Sequence, residues 1–153
     1  MTRSRLDTDH VRQAAQALAA ASTPVILVGQ GVLYSEASVE VVELAEMLGA
    51  PVAATLLGKS AFPETHKFSL GTGAISATAM VDHFLRKTDF ILGIGTSFTV
   101  STFGAPMPKG ATLAQSTNCA EDLNKDYGVS FGAVGDAKLV LKQLIEEAPR
   151  RGQ

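Results

Sequence analysis

Residues 24–31 have the sequence PVILVGQG, in which an unbroken apolar run is followed by glycines at positions 29 and 31. An uninterrupted apolar run is typical of a strand buried on both faces, as in a parallel sheet covered by helices. The segment 89–95, DFILGIG, repeats this pattern. Further strand-like segments begin near residues 51, 112 and 130. The sequence therefore predicts five strands, beginning near residues 25, 51, 90, 112 and 130.

Helical periodicity occupies most of the intervals between these strands. Apolar residues recur three and four positions apart in 11–18, 35–48 and 77–87, and again after Asp136. Strands that alternate with helices form βαβ crossovers, which place parallel strands in one sheet with helices on both faces. We therefore expect an α/β fold of three layers. Residues 56–74, which are rich in glycine and proline, are predicted to be irregular.

The composition excludes several classes of protein. The chain has 153 residues, of which 46% are hydrophobic and 18% charged, too apolar for a disordered chain. A net charge of −2 gives no electrostatic case for binding nucleic acid or an anionic membrane. One cysteine excludes an intrachain disulfide framework. We expect a cytoplasmic protein with one domain at 9–148, a linker at 1–8 and a tail at 149–153.

Three glycine-rich segments lie beside predicted strand ends, at 29–31, 71–73 and 93–97. Glycine lets backbone amides approach a phosphate at the carboxyl edge of a parallel sheet. It also permits a tight turn or a close contact between a helix and a strand. The dinucleotide fingerprint would need a third glycine at position 34, where the chain has Tyr34. Both interpretations, nucleotide binding and close packing, are open at this stage.

The remaining polar residues predict neither a catalytic set nor a metal site. Neither His10 nor His83 has a metal-binding neighbour one helical turn away, and His66 lies in the predicted irregular stretch, where it is a candidate contact for a ligand or another domain. Cys119 is predicted to be an inert thiol that is at least partly buried. Glu40 belongs to a predicted solvated helix face. Motifs of serine hydrolases, P-loop proteins and zinc proteases do not occur.

Several segments resemble the central domain of thiamine-diphosphate-dependent enzymes, a group that includes acetolactate synthases, pyruvate oxidases and oxalyl-CoA decarboxylases. The likeness extends over residues 9–148. The most specific part runs from Thr55 to Gly71. The other segments are 24–32, 43–52, 89–95, 124–127 and 135–138. The resemblance implies a six-stranded parallel sheet of the Rossmann-like, NAD/FAD-binding type, so that five to six strands are expected in all.

The resemblance further implies that this chain is one part of a larger enzyme that processes 2-oxoacids. In that family a pyrimidine-binding domain and a diphosphate-binding domain hold thiamine diphosphate and magnesium, the second through a Gly-Asp-Gly motif. Gly135-Asp136-Ala137 is not that motif. We therefore expect a scaffold whose partners are those two domains, or a second copy of the chain, with no catalytic residue of its own.

Some members of the family bind FAD or ADP in this domain. The resemblance implies two arginines after the strand at 90–94 in the FAD-binding members. In this chain those two positions are occupied by Ser97 and Ser101. Cys119 stands where an acidic residue often follows the next strand. Two alternatives are a free-standing nucleotide-binding regulatory module and an unrelated NAD oxidoreductase. The positions implied for nucleotide contact are Gly29, Gln30, Gly31, Thr55, Leu56, Leu57, Gly71, Thr72, Gly95, Thr96, Ser97 and Asn118.

Overall fold

The computed structural model describes residues 8–55, 57–72, 79–97, 110–124 and 128–148. A short 3₁₀ turn, Ala120–Asp122, follows the fifth strand. The helices are α1 (Thr8–Ala20), α2 (Gln30–Tyr34), α3 (Ser38–Leu48), α4 (Ala79–Lys87) and α5 (Ala137–Glu147). The strands are β1 (Pro24–Val28), β2 (Val52–Ala54), β3 (Ser69–Thr72), β4 (Phe90–Ile94), β5 (Thr112–Thr117) and β6 (Phe131–Val134).

The six strands form one sheet in the order β3-β2-β1-β4-β5-β6, and every neighbouring pair is parallel. The predicted α/β class is therefore confirmed. The sixth strand, β3, lies inside the stretch that the sequence predicted to be irregular, so that part of the prediction was wrong. β3 pairs only with β2, and Leu70 is its one buried apolar side chain. A short edge strand with a single apolar residue has no periodicity from which to predict it.

Both faces of the sheet are covered, as the apolar runs predicted. Ile26 and Val28 of β1 belong to a core cluster with residues of α1, α3 and α5. Val25 and Leu27 of the same strand belong to a second cluster that includes Leu85 of α4. Because successive strand side chains point to opposite faces, the sheet separates two apolar layers. Because both faces of β1 are buried, none of its residues is polar.

The helix predicted at 35–48 begins three residues later in the structure, as α3, and a short helix that was not predicted, α2, precedes it. α2 starts directly after Gly29, and α3 starts at Ser38. Glu36 between them has φ 53°, a left-handed conformation that ends the first helix. α2 has five residues, with Val32 buried, which is too short for a periodic apolar pattern.

Helix-end predictions are confirmed at two positions. Gly49 has φ 62° and terminates α3, as glycine commonly does at this position. The Asp136 side chain accepts a hydrogen bond from the Leu139 backbone N–H at 3.2 Å and caps α5. A cap of this kind satisfies one of the free N–H groups at a helix start.

Two surface predictions were wrong. Glu40 is buried, with 8% of its surface exposed, because α3 packs on α5 at that turn and brings Lys138 Nζ within 3.8 Å of its Oε1. Cys119 is exposed, because it lies in the turn beyond the end of β5. The burial of Glu40 depends on packing between segments far apart in the chain, which local sequence does not report. Among the helices of the described ranges, none has the length and apolar character needed to cross a membrane.

Candidate functional site

A cleft of about 580 Å³ lies at the carboxyl edge of the sheet, between the ends of its two central strands. From β1 the chain passes to β2 on one side, whereas from β4 it passes to β5 on the other. Connections that leave in opposite directions open a crevice at this point, where open α/β sheets bind their ligands. We call it the switch-point cleft.

Nine of the twelve residues predicted for nucleotide contact line the switch-point cleft. They come from the segments after β1, β2, β4 and β5, which the parallel sheet brings to one edge. These residues are Gly29, Gln30, Gly31, Thr55, Leu57, Gly95, Thr96, Ser97 and Asn118.

Two of the other three predicted residues are not part of the described lining of the cleft. Gly71 lines a separate, small hollow beside Ser60 and Glu64. Thr72 ends β3, which is two strands away from β1 in the sheet. Leu56 lies outside the described residues, as does Ser101. The edge position of β3 explains why its glycine is remote from the crevice.

The cleft also contains residues that sequence reasoning missed. Most of these residues lie at or after the ends of β5 and β6, at the same sheet edge as the residues that follow β1 and β4. Their position at strand ends is the one signal in the sequence that could have identified them. The missed lining residues are Tyr34, Ser35, Ser116, Thr117, Asp122, Val134, Gly135, Asp136 and Ala137.

The glycines of the cleft pack against each other through their backbones. A Cβ atom on Gly29 would overlap the carbonyl oxygen of Gly95, and one on Gly31 would lie 2.7 Å from Gly95 Cα. Gly95 itself has φ 65°, and a Cβ there would lie 2.7 Å from the Val32 nitrogen. Side chains do not tolerate such distances, so close packing accounts for these three glycines without a ligand.

Hydrogen bonds within the protein use the backbone amides of the same glycines. Gly29 N–H donates to the Ile94 carbonyl at 2.9 Å, and Gly31 N–H donates to the Gly95 carbonyl at 3.1 Å. Gly95 N–H donates to the Ser116 carbonyl at 2.9 Å. These three amides are therefore not free to bind a phosphate oxygen.

The described residues that line the cleft carry negative charge. Asp122 and Asp136 are the charged residues among its described lining, which contains neither lysine nor arginine. The Asp122 carboxylate accepts a hydrogen bond from Thr117 Oγ1 at 3.0 Å, and that of Asp136 caps α5. Each therefore keeps one oxygen that has no donor among the described residues.

One polar side chain beneath the cleft has no partner. Ser116 lines the cleft at the end of β5, is 2% exposed, and its hydroxyl oxygen makes no hydrogen bond within the described part of the chain. Its neighbour Gln115 is held by a bond from Nε2 to the Thr96 carbonyl at 3.0 Å. A buried hydroxyl without a partner is unusual in folded proteins.

The rim of the cleft, in contrast, is apolar and exposed. Tyr34 is 78% exposed, Leu57 69% and Val134 40%, and all three belong to the cleft lining. The site thus combines an exposed aromatic ring, a hydroxyl-bearing floor and two carboxylates.

His66 lies elsewhere and has a packing role. Its Nε2 is 2.9 Å from Glu46 Oε1, and its Nδ1 accepts a hydrogen bond from the Phe68 N–H at 3.1 Å. The ring contacts Phe62 edge-on, with 5.0 Å between centroids. No cluster of metal-ligating side chains occurs within the ranges that the structure describes.

The sheet order and the cleft define a Rossmann-like α/β domain with a crevice at its switch point. Residues 11–144 match the family model described as "Thiamine pyrophosphate enzyme, central domain". The chain belongs to this family, which confirms the resemblance seen in the sequence.

Relatives and solved structures agree with that assignment. The chain is 35% identical over 138 residues to acetolactate synthase from Mycobacterium bovis, covering 88% of this chain and 22% of the relative. It is 33% identical over 150 residues to the acetolactate synthase large subunit of Corynebacterium glutamicum, covering 92% and 23%. Benzoylformate decarboxylase from Polynucleobacter necessarius superposes with a TM-score of 0.82 at 27% identity, covering 99% of this chain and 29% of that one. The chain thus spans under a quarter of the length of these two relatives.

The family resemblance implies FAD or ADP as possible occupants of a site in this domain. FAD and ADP carry a diphosphate, which proteins bind with arginine, lysine or free backbone amides. The described lining has no such cation, and the three glycine amides bond within the protein. Within the described lining, neither a cation nor any of these three glycine amides is therefore available to a diphosphate.

Proposed function

We propose that this chain is the structural central domain of a larger thiamine-diphosphate-dependent enzyme of the acetolactate-synthase type, which acts on 2-oxoacids. The observation that carries the proposal is the family match over residues 11–144, in a chain that spans 22% of the M. bovis relative. Thiamine diphosphate and magnesium would be bound by the pyrimidine- and diphosphate-binding domains of that enzyme. This central domain would hold those two domains in position relative to each other.

The lining of the switch-point cleft supports a role without chemistry of its own. Its described residues include no histidine, cysteine or lysine, the side chains most often used as bases and nucleophiles at neutral pH. Its two carboxylates belong to turn and helix-cap contacts. We infer that catalysis belongs to the partner domains, and that a second copy of the chain is a further candidate partner.

The finer expectation, a FAD or ADP site in this domain, is a second candidate role. The position of the cleft at the switch point favours it, and the missing cations count against it. The alternative of a free-standing regulatory module needs tight nucleotide binding by this domain alone. Thermal unfolding with and without FAD and ADP distinguishes these roles, because a ligand at a hundred times its Kd adds about 2.7 kcal/mol of stability.

A domain exchange tests the scaffold role. Residues 9–148 would replace the matching central domain of the C. glutamicum acetolactate synthase large subunit, and acetolactate formation from pyruvate would be measured with thiamine diphosphate and magnesium. We expect measurable activity from the exchanged enzyme and none from the isolated chain, because the catalytic groups come from the other domains.

The control for the exchange is folding, followed by circular dichroism and size-exclusion chromatography. A second exchange, with the central domain of the M. bovis relative, shows whether a domain of this family is tolerated there. If that exchange is active while this one folds and is inactive, the scaffold proposal is wrong. Turnover by the isolated chain would also overturn it.

A further inference from the structure

The two ring nitrogens of His66 make contacts of opposite kinds. Nδ1 accepts a hydrogen bond from the Phe68 N–H at 3.1 Å, and Nε2 lies 2.9 Å from Glu46 Oε1. A neutral imidazole carries one proton, so acceptance at Nδ1 places that proton on Nε2, from which it is donated to the carboxylate. The geometry therefore fits one tautomer of the neutral ring and excludes a proton on Nδ1.

A second proton would affect these two contacts unequally. The protonated ring carries an N–H group at both nitrogens, so Nδ1–H would face the Phe68 N–H and that hydrogen bond would be lost. The contact with Glu46 would be kept and strengthened, because both partners would then be charged. The side chains of His66 and Glu46 are 15% and 55% exposed, so a proton from solvent can reach the pair.

The charged groups around the ring come from two segments. α3 presents Glu46, with Glu43 one helical turn before it, and these carboxylates favour the protonated ring. On the segment of His66 itself, Glu64 precedes it by two residues and Lys67 follows it directly. Two phenylalanine rings, with centroids 5.0 and 5.5 Å from that of His66, are apolar and disfavour charge. β2 and β3 contain no charged residue.

Phe68 is the residue through which protonation would reach the sheet. Its carbonyl accepts the Val52 N–H at 2.8 Å, where β2 and β3 begin to pair. Its side chain packs against the larger core cluster. β3 is an edge strand that pairs with β2 alone, so no second strand holds it when the contact at Phe68 is weakened.

We propose that His66 is a pH-sensitive latch on the edge strand β3. The neutral ring holds the Phe68 N–H and keeps the start of β3 against β2. Protonation releases this N–H, retains the contact with Glu46 and loosens the start of β3. The latch does not depend on the scaffold role proposed above.

NMR and amide hydrogen exchange on the full chain test the latch between about pH 8 and pH 5.5, where histidine ordinarily gains its second proton. The ring nitrogen shifts of His66 report its tautomer and charge. Exchange is expressed as a protection factor against the unstructured chain at the same pH, which removes the pH dependence of intrinsic exchange. We expect Phe68 and Val52 to lose about tenfold in protection at the lower pH, as for the loss of one hydrogen bond. Ile26, whose N–H donates to the Pro51 carbonyl at 2.9 Å, should keep its protection.

Two variants connect the effect to the named groups. H66N places an amide oxygen near the position of Nδ1, which can accept the Phe68 N–H and does not titrate. We expect Phe68 to stay protected at both pH values in H66N. E46Q removes the carboxylate that favours the protonated ring, so the loss of protection should move to lower pH.

H10N is the matched control. The Nε2 of His10 lies 3.1 Å from the Gly132 carbonyl on β6, at the sheet edge opposite β3. A carbonyl accepts a hydrogen bond from the neutral and from the protonated ring alike. We therefore expect H10N to show the same response at Phe68 as the unmodified chain.

Three results would overturn the proposal. The first is a His66 ring that carries its proton on Nδ1 at the higher pH or stays neutral at the lower one. The second is an equal loss of protection at Phe68 and Ile26. The third is a folded H66N in which Phe68 still loses protection at the lower pH.

If H66N does not fold, as judged by its circular dichroism spectrum, E46Q decides. A folded E46Q with an unshifted response would then contradict the latch. None of these results predicts activity or inactivity in the domain exchange, so the two proposals fail separately.

Discussion

At the scale of single residues, Gly29 and Gly95 hold the two central segments of the cleft in direct backbone contact. Gly29 N–H bonds to the Ile94 carbonyl at 2.9 Å, and a Cβ at Gly29 would overlap the Gly95 carbonyl oxygen. Of the three atoms nearest to that Cβ, two belong to the Gly95 backbone and the third is the Cβ of Thr96, and none of them can rotate away. The position thus requires glycine for packing.

We therefore predict that Gly29→Ala lowers the free energy of unfolding by about 2–3 kcal/mol, the usual range for an overpacked site. The matched control is Gly128→Ala, because a Cβ there would have no atom of the described residues within 4 Å. Urea denaturation of both variants measures the effect. Equal stability of the two variants would contradict the packing explanation.

At the scale of elements, the contact between α3 and α5 contains a poorly paired charge. Glu40 is 8% exposed, its Oε2 has no partner among described residues, and its Oε1 is 3.8 Å from Lys138 Nζ. The Lys138 side chain is 30% exposed and can reach water. The cost of burial therefore falls mainly on Glu40, because an imperfectly paired buried carboxylate loses hydration.

The expected result is an asymmetry between two substitutions. Lys138→Met leaves Glu40 buried without its partner and should destabilise the chain by about 1–3 kcal/mol. Glu40→Met replaces the carboxylate with an apolar side chain and should be neutral or stabilising. Thermal unfolding near pH 7 measures both. A larger loss for Glu40→Met than for Lys138→Met would show that the ion pair itself stabilises the helix contact.

At the scale of the whole molecule, the amino edge of the sheet is clamped at the two central strands. The Asp89 carboxylate accepts hydrogen bonds from the Ser22 N–H at 2.7 Å and the Thr23 N–H at 2.9 Å. The Thr88 hydroxyl donates to the Thr23 carbonyl at 2.6 Å. These contacts join the start of β1 to the start of β4, at the edge opposite the cleft.

This clamp gives global stability a dependence on pH. Burial raises the pKa of Asp89, but the hydrogen bonds from Ser22 and Thr23 outweigh it, and the net pKa lies below the ordinary value. A carboxyl whose pKa is lower in the folded state stabilises the fold above its unfolded pKa, about 3.9. That contribution is lost as the pH falls through the lower folded pKa.

We predict that Asp89→Asn reduces stability at pH 7 by about 1 kcal/mol, a modest value because the group is exposed and screened. The difference from the unmodified chain should shrink as the pH falls below about 4. Urea denaturation between acidic and neutral pH measures it, with Asp9→Asn, at an exposed position of α1, as the control. A difference that stays constant with pH would mean that the Asp89 charge contributes nothing.

Much of the fold could be predicted because it depends on local patterns. The apolar runs of β1 and β4 predicted a parallel sheet buried on both faces, and Asp136 and Gly49 predicted helix ends. β3 escaped prediction because an edge strand buries one side chain here. In the site, glycine positions were predictable, but Ser116, Asp122 and Asp136 become neighbours only when β5 and β6 join the sheet.

The sequence by itself determined the family and the α/β class, since both depend on residue order and periodicity along the chain. Tertiary structure alone decided the role of the glycines and the charge of the cleft. The physical reason is that both depend on distances between segments far apart in the chain, such as that from Gly29 to Gly95, and composition and spacing do not contain those distances.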